Sequence, residues 1–589
     1  MSEPLDYGEL ERGRDCNYWR YDPAIRRTIE RRCGDDPALE SLLSSFGELI
    51  GTTVTNNADV VEDNPPELRT YDRNGERINE VVYHPKHVAN ERLVYENGVI
   101  ANLFSAPPEH DEPLSHVAHL GQFYLMDYAS SVGLGCPAAM TGGAAVVLEK
   151  FDDGTLDPFY EALTTREYDE LETGAMFLTE KQGGSDVGAN EVRAEPTDDE
   201  RTYELYGEKW FCSNVDSGAA LVLARRPDAP DGTEGLSLFL VSRETRTGEP
   251  NDYLFRRLKD KLGTNSVPTG EVVFEGAEAY LVGEPERGFK YMSEMLNIER
   301  LYNAVGSVAG MGRSLLEAKV HAADREAFGE TLEDQPLMRR DLVEMTVAHE
   351  AAMAVTFEAA EQFGARERAL DRGERDERAY RLMRILIPVA KYRTARMAVE
   401  TASYAMEIRG GNGYVEEFVN PRLLRNAQVL PIWEGPSNIM ALDVLRAMLS
   451  ERSHRVLLEE LRERLDAIEQ PTLEELVSTV SAEVDGLETA FNAVETSDPA
   501  SAQFEAKALA DYVFDVTAGV VLLERAAWRL AEADDAREAL VAEQFVRNHL
   551  ESHDARGIVD DERLPLEAFD AIARYGYAEP EPRVVADDD

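Results

Sequence analysis

Gly410-Gly411-Asn412-Gly413-Tyr414, continuing through Arg425 to Ile432-Trp433-Glu434-Gly435-Pro436-Ser437-Asn438, is the stretch on which the reading of this chain turns. It sets one carboxylate, Glu434, in a tight apolar turn between Pro431 and Pro436. A helix patterned Ile439, Leu442, Leu445, Met448 and Leu449 follows directly. A base is useful in such a place. Pro436 suits a first helical position, which has no backbone hydrogen bond to lose, and Gly435 lets another molecule approach the main chain. Desolvation beside Trp433 would raise the pKa of Glu434, and the helix N-terminus would lower it. Taken locally, the turn also reads as an ordinary acid stabilising a helix dipole.

Outward from this turn, the 589 residues exceed what a single core accommodates, so several domains are expected, and 43% hydrophobic content is enough to fill them. The first residues, MSEPLDYGELERGRD, are acidic and polar, and no apolar run reaches about 18 residues. Neither a signal peptide nor a membrane span is therefore expected. The formal net charge is −52, and of 61 basic residues ten are Lys and 51 Arg. Such a surface repels nucleic acid and anionic membranes. Its acidic, lysine-poor balance resembles that of cytoplasmic proteins from salt-loving archaea, where molar salt shortens the Debye length to about 3 Å. Cys16, Cys33, Cys136 and Cys212 are widely spaced without a Cys-x-x-Cys pair. They imply no metal site and no disulfide framework, and a reducing cytoplasm is expected.

Periodicity divides the chain into four parts. Residues 1–172 read as mainly helical, with candidate helices at Asp22–Cys33, Pro37–Leu49 and Ser115–Ser131 and a possible hairpin in Asn64–Arg77. His84, before Pro85, reads as a structural histidine, and Gly135–Gly143 as a small-residue turn around Cys136, favouring packing. Residues 173–285 switch to short alternating or apolar runs, at Met176–Glu180, Tyr203–Ser213, Ala220–Arg225, Leu236–Ser242, Tyr253–Leu258 and Gly270–Phe274. That is an all-β pattern. Residues 286–450 return to long helical periods, at Gly288–Ala323, Pro336–Gly364 and Asp376–Arg409, expected to stack as a bundle. Residues 451–589 carry 34 acidic and 13 basic residues, with breaks at Pro471, Pro499 and Gly557. Their stripe Leu509, Val513, Val516, Val520, Leu523, Ala527, Leu530 is expected to face a core, and Glu579–Asp589 to be a disordered acidic tail.

Five motifs carry chemistry: the Gly410–Asn438 run, the turn Thr179-Glu180-Lys181-Gln182-Gly183-Gly184-Ser185-Asp186, the strand Lys209–Ser213, Glu299-Arg300, and Arg325-Glu326-Ala327-Phe328-Gly329 with Gln335. Together they resemble the acyl-CoA dehydrogenase family. Met176–Val187, Arg257–Gly263 and the Asn64–Arg77 insert are similar to its alkylation-response AidB-type branch. The resemblance spans roughly residues 60 to 450. It implies an α+β fold: an N-terminal helical domain, a middle β-barrel-like domain and a C-terminal four-helix bundle, here with an extra C-terminal helical region. It also implies α,β-dehydrogenation of an acyl-CoA thioester, with FAD as hydride acceptor and electrons passing to an electron-transfer flavoprotein. The branch leaves a second possibility, a protective flavoprotein with vestigial acyl-CoA turnover or a non-CoA substrate.

Residue by residue, the resemblance makes Glu434 the candidate base, with Glu299 as the alternative, since some family members place their carboxylate immediately before the CoA-facing Arg. That Arg is Arg300 here. Met176, Leu178, Thr179, Gly184, Ser185, Phe211 and Ser213 fall at the flavin, with Ser213 near N5 and Ser185 also at the CoA. Arg325, Phe328, Gln335, Gly410 and Gly411 would grip the pyrophosphate and adenine of a neighbouring subunit's FAD, and Gly435 and Asn438 also fall at the cofactor. A shared site implies an oligomer, a tetramer by resemblance. Three positions depart from the family pattern: Phe211 where a Trp is common, Glu407 where a Gln often stands, and Pro436 where a Thr often contacts FAD. No GxGxxG fingerprint follows a strand, and Gly306, Gly310 and Gly312 lie inside a helical pattern, so FAD would not be held by a Rossmann fold. The branch's DNA contact through basic C-terminal residues is not expected in so acidic a region.

Overall fold

The computed structural model describes residues 3–130, 133–551 and 563–580, which divide into two compact units. One comprises Asp36–Gly306 with Trp433–Gly435, and the other Met1–Asp35, Ser307–Ile432 and Pro436–Asp589.

The first unit opens on an Asp-Pro start. Asp36 accepts the amides of Ala38 and Leu39 and Pro37 follows with its φ already helical, so the Pro37–Leu49 helix begins with its free donors covered. The insert folds as an antiparallel hairpin of β1 (Glu67–Tyr71) and β2 (Arg77–Val82), its turn closed by Asp72 accepting the amides of Asn74 and Glu76. His84 is structural: its Nδ1 accepts the amide of Lys86 and caps the Pro85–Glu96 helix. The expected turn at Gly135–Gly143 is instead the start of a helix, Gly135–Phe151, buried along nearly its whole length. Pro137 sits in its first turn, where no backbone bond is lost. Gly142 and Gly143 serve close packing, since a Cβ there would lie 2.6 Å from Tyr302 Oη or 2.9 Å from Met295 Cγ.

The middle strands are β3 (Gly174–Phe177), β4 (Arg193–Pro196), β5 (Thr202–Ser213), β6 (Ala219–Arg225), β7 (Leu236–Val241), β8 (Tyr253–Leu258) and β9 (Thr269–Val282). β6 pairs with β7, β7 with β9, β9 with β5, β5 with β4, and β4 returns to β6, so the sheet closes into a barrel with β3 and β8 on its flanks. Every residue of β7 is buried, as a strand covered on both faces requires. β9 runs eight residues beyond the expected end at Phe274, because Glu275 and Glu278 break the apolar pattern while the chain keeps pairing with β5.

In the second unit the last part of the Gly288–Asp324 helix joins Pro336–Asp371, Glu377–Arg409 and Ser437–Leu449, and the C-terminal region adds Ser453–Asp466, Glu474–Thr496, Pro499–Ala533 and Arg537–His549. Leu509, Val513, Val516, Val520 and Leu523 are buried as expected, while Ala527 and Leu530 are half-exposed. Arg27, Arg525 and Arg537 meet Glu350 and Glu538 in one buried cluster, tying the N-terminal helix to the C-terminal region within this unit. Gly557 and residues 581–589 of the expected tail lie outside the described residues. Among the described residues no helix is long and apolar enough to cross a membrane, and no three His, Cys, Asp or Glu side chains could hold a metal ion together.

Candidate active site

Glu299 and Arg300 sit on the Gly288–Asp324 helix, in the first unit. Glu299 is 4% exposed, and its Oε1 lies against Gly143, where a Cβ would stand 3.2 Å away. The turn Trp433–Gly435 belongs to the same unit. Glu434 there has φ +53° and Gly435 φ +102°. A left-handed Glu costs about 1–2 kcal/mol, so something must hold it. Arg300 does: its Nε donates to the Glu434 carbonyl at 3.2 Å. Pro436 adopts ψ 164° and is the cap before Ser437 rather than the first helical residue, so the carboxylate precedes the helix by one residue more than the sequence suggested.

The two carboxyls sense each other. Burial, and then the charge of Glu434, push Glu299 well above the ordinary carboxylate range. Cys136 lies in the same field: burial raises its thiol, the charges of Glu299 and Glu434 raise it further, and Lys261 and a hydrogen bond with Ser213 pull it back only in part. Ser213 Oγ in turn stands 3.0 Å from Thr269 Oγ1, which accepts from Lys261 Nζ at 3.0 Å. A carboxyl pair, a thiol, two hydroxyls and an ammonium thus share one locality.

Near Ser213 on β5, Phe211 is 55% exposed, between half-buried Trp210 and fully buried Cys212. Its ring and that of Trp210 pack against Lys259 Nζ, at 4.6 and 3.8 Å from the centroids. The loop after β3 is tied to β5 by a buried ion pair, Lys209 Nζ to Glu180 Oε1 at 2.8 Å, and by the Trp210 amide donating to the Thr179 carbonyl. Lys209 and Asn190 both donate to the Leu178 carbonyl. Gly184 is required here, because a Cβ would come within 2.4 Å of Thr179 Oγ1. Met176, Leu178 and Thr179 are half-buried, and Gly184 and Ser185 are exposed.

The remaining candidates lie in the second unit, apart from Gly435. Arg325 precedes a two-stranded hairpin, Glu326–Ala327 with Glu330–Thr331, whose turn residues Phe328 and Gly329 both have positive φ. Phe328 is 99% exposed, an apolar ring left uncovered by the described residues. Gln335 Nε2 reaches Glu330 Oε2 at 3.3 Å. Gly410 has φ +70°, a Cβ on it or on Gly411 would meet open space, and Asn438 is exposed. The structure therefore gathers Glu299, Arg300, Glu434 and Ser213 in one unit, and places the Arg325–Gln335 group, Gly410, Gly411 and Asn438 in the other. Sequence reasoning missed Cys136, Thr269 and the Glu180–Lys209 pair as parts of the site. A usable signal was Lys209 and Lys261 themselves, two of only ten lysines.

Comparison with known proteins gives three family matches: residues 286–449 to the acyl-CoA dehydrogenase C-terminal domain, residues 175–277 to the acyl-CoA dehydrogenase middle domain, and residues 10–170 to the adaptive response protein AidB N-terminal domain. The chain is 34% identical over 441 residues to acyl-CoA dehydrogenase family member 11 of Caenorhabditis elegans, covering 73% of this chain and 70% of that one. It is 36% identical over 417 residues to AidB of Escherichia coli (strain K12), covering 69% and 73%. The crystal structure of Caenorhabditis elegans ACDH-11 in complex with C11-CoA superimposes with a TM-score of 0.85 at 28% identity, over 95% of this chain and 98% of that one.

Proposed function

The chain belongs to the acyl-CoA dehydrogenase family, and on that premise we propose that it is an FAD-dependent enzyme that removes an α-proton and a β-hydride from an acyl-CoA thioester, with Glu434 as base. The observation that carries the reading is the hold on Glu434: its left-handed turn is fixed by Arg300 donating to its carbonyl, and a second carboxyl, Glu299, whose pKa is raised by burial and by the charge of Glu434, belongs to the same unit. The residues present fit FAD. Phe211 offers an exposed ring next to buried Cys212, Thr179 and Ser213 offer half-buried hydroxyls, and Gly410 and Gly411 leave room for close approach. Met176, Leu178, Gly184 and Ser185 would line the ring, with Gly435 and Asn438 also at the cofactor. Arg325, Phe328 and Gln335 would meet the pyrophosphate and adenine of a neighbouring subunit's cofactor, since a guanidinium pairs with phosphate bidentately.

When bound, FAD supplies an acceptor for the β-hydride. The chain's own residues do the rest. Arg300 holds the Glu434 turn in its left-handed conformation through the Glu434 carbonyl, and so aims the carboxylate. The Glu434 amide is the candidate donor to the thioester carbonyl, a contribution of about 3–4 kcal/mol in comparable sites. The enzyme works as a cytoplasmic homotetramer in a salt-rich interior and passes its electrons to an electron-transfer flavoprotein. Ser185 and Arg300 would contact the CoA.

The AidB N-terminal match, with Phe211 in place of a Trp, favours a second reading, a protective flavoprotein with vestigial turnover. Anaerobic mixing in molar KCl with short, branched and long acyl-CoAs, C11-CoA among them, separates the two. Loss of the oxidised flavin band near about 450 nm with one acyl-CoA supports dehydrogenation. Bound FAD that no acyl-CoA bleaches supports the second reading and overturns the first.

A further inference from the structure

Thr269 Oγ1 has two hydrogen-bond neighbours among the described residues, Lys261 Nζ at 3.0 Å and Ser213 Oγ at 3.0 Å, and the residue is 5% exposed. An ammonium group donates and never accepts. With Lys261 charged, the single proton of Thr269 has one place to go, the Ser213 oxygen. Ser213 cannot then donate back along the same line, so its own proton points away from Thr269, to the Cys136 sulfur or to whatever acceptor stands beside it. Lys261 is itself fixed by a second bond, 2.7 Å to the Val267 carbonyl. One cation thus sets the direction of two hydroxyls.

We propose that Lys261 is a positioning residue for hydride acceptance: acting through Thr269, it holds the Ser213 hydroxyl as a donor toward the flavin ring. The inference rests on the reading above that FAD lies against Ser213. A donor at the acceptor nitrogen withdraws electron density from the ring before the hydride arrives and stabilises the electron pair afterwards. The β-carbon loses the hydrogen with both electrons, the ring gains them, the α-proton goes to Glu434, and Lys261 loses nothing.

The same chain makes the direction depend on pH. Burial lowers Lys261 to about 8, against the upward pull of Cys136 and Glu62, the two other ionisable groups that act on it. Below that value the ammonium fixes Ser213 outward. Above it the neutral amine can accept, the line of protons can reverse, and the flavin loses its donor.

The test is the midpoint potential of the bound flavin, with its absorption spectrum, measured in molar KCl for the holoprotein and four variants. Lys261→Met and Thr269→Val should each weaken hydride acceptance about tenfold, which is about 30 mV for a two-electron couple. Lys261→Arg and Thr269→Ser, which keep the cation and the hydroxyl, should stay near the parent. In the parent, the slope of potential against pH should change near pH 8, and in Lys261→Met that change should vanish. Thr269→Val at the parent's potential with Lys261→Met shifted would mean that the cation acts through space and the relay is wrong. Both variants at the parent's potential would overturn the inference outright while leaving FAD binding intact. A purified parent that binds no FAD would instead sink the functional reading on which it rests.

Discussion

Replacing Glu350 with Gln should cost the helical unit about 3–5 kcal/mol. Glu350 is fully buried and accepts from Arg525 Nη2 at 2.8 Å and from both terminal nitrogens of Arg537, one at 2.8 Å. Glu538, also buried, takes Arg27 at 2.9 Å, Arg525 at 2.6 Å and Arg537 at 3.0 Å. The parent cluster sets three guanidiniums against two carboxylates, and the variant would set three against one. A carboxamide can keep one or two of the bonds as neutral ones, but its NH2 would face a guanidinium. Charge-assisted bonds are worth about 1.5–3 kcal/mol each, and breaking a buried pair costs about 3–5 kcal/mol. Burial pushes both carboxyls up, yet Arg537 and Arg525, joined at Glu538 by Arg27, override it and hold them below the ordinary value of 4.5. Their contribution is therefore complete above about pH 4.5 and drains away as pH falls below it. Urea unfolding in molar KCl, followed from pH 7 down to 3, would show both effects: a lower midpoint for the variant at pH 7, and a shallower acid limb. A variant within about 1 kcal/mol of the parent at pH 7 would refute the claim that this cluster holds the unit together. Glu361→Gln, whose carboxylate meets Arg32 at a site 41% exposed, is the control and should cost about 1 kcal/mol or less.

Glu299→Gln should stabilise the protein increasingly as pH rises, because a carboxyl whose folded pKa is raised favours folding at low pH and opposes it once its proton must leave; equal melting temperatures for parent and variant from pH 4 to 8 would contradict this. Gly143→Ala should cost about 1–3 kcal/mol, since the new Cβ would come within 2.9 Å of Met295 Cγ and 3.2 Å of Glu299 Oε1, and a thermal melt at the parent's temperature would show that the helix yields instead. Dilution from molar KCl into low-salt buffer should lower the melting temperature, since a net charge of −52 then repels itself over a longer range; an unchanged melt would count against salt dependence.

The elements that could be read from the chain are those whose local pattern and tertiary role agree. Pro37–Leu49 and Tyr253–Leu258 have the expected bounds because caps and apolar period point the same way. Gly135–Phe151 did not show itself, because Gly135, Pro137, Gly142 and Gly143 read as breakers. Gly142 and Gly143 are there for Tyr302, Met295 and Glu299, which approach from 150 to 160 residues away. β4 was missed since four residues of mixed polarity carry no period of their own and pair only through β5 and β6. As candidates, Glu434 was legible from its own turn and Glu299 from its place before Arg300. The contacts of Lys261 with Thr269 and of Thr269 with Ser213 were not, because they form only when the loop after β8, the start of β9 and the end of β5 are brought together.

We propose Glu434, and not Glu299, as the group that takes the α-proton. The measurement is the anaerobic, single-turnover rate of flavin bleaching by a reactive acyl-CoA in the parent, Glu434→Gln and Glu299→Gln, each first shown to bind FAD. Glu434→Gln should lose at least about 10²-fold, as removal of a general base requires, with Glu299→Gln retaining most of the parent's rate. Full bleaching in Glu434→Gln together with its loss in Glu299→Gln would contradict it and move the base to the helix.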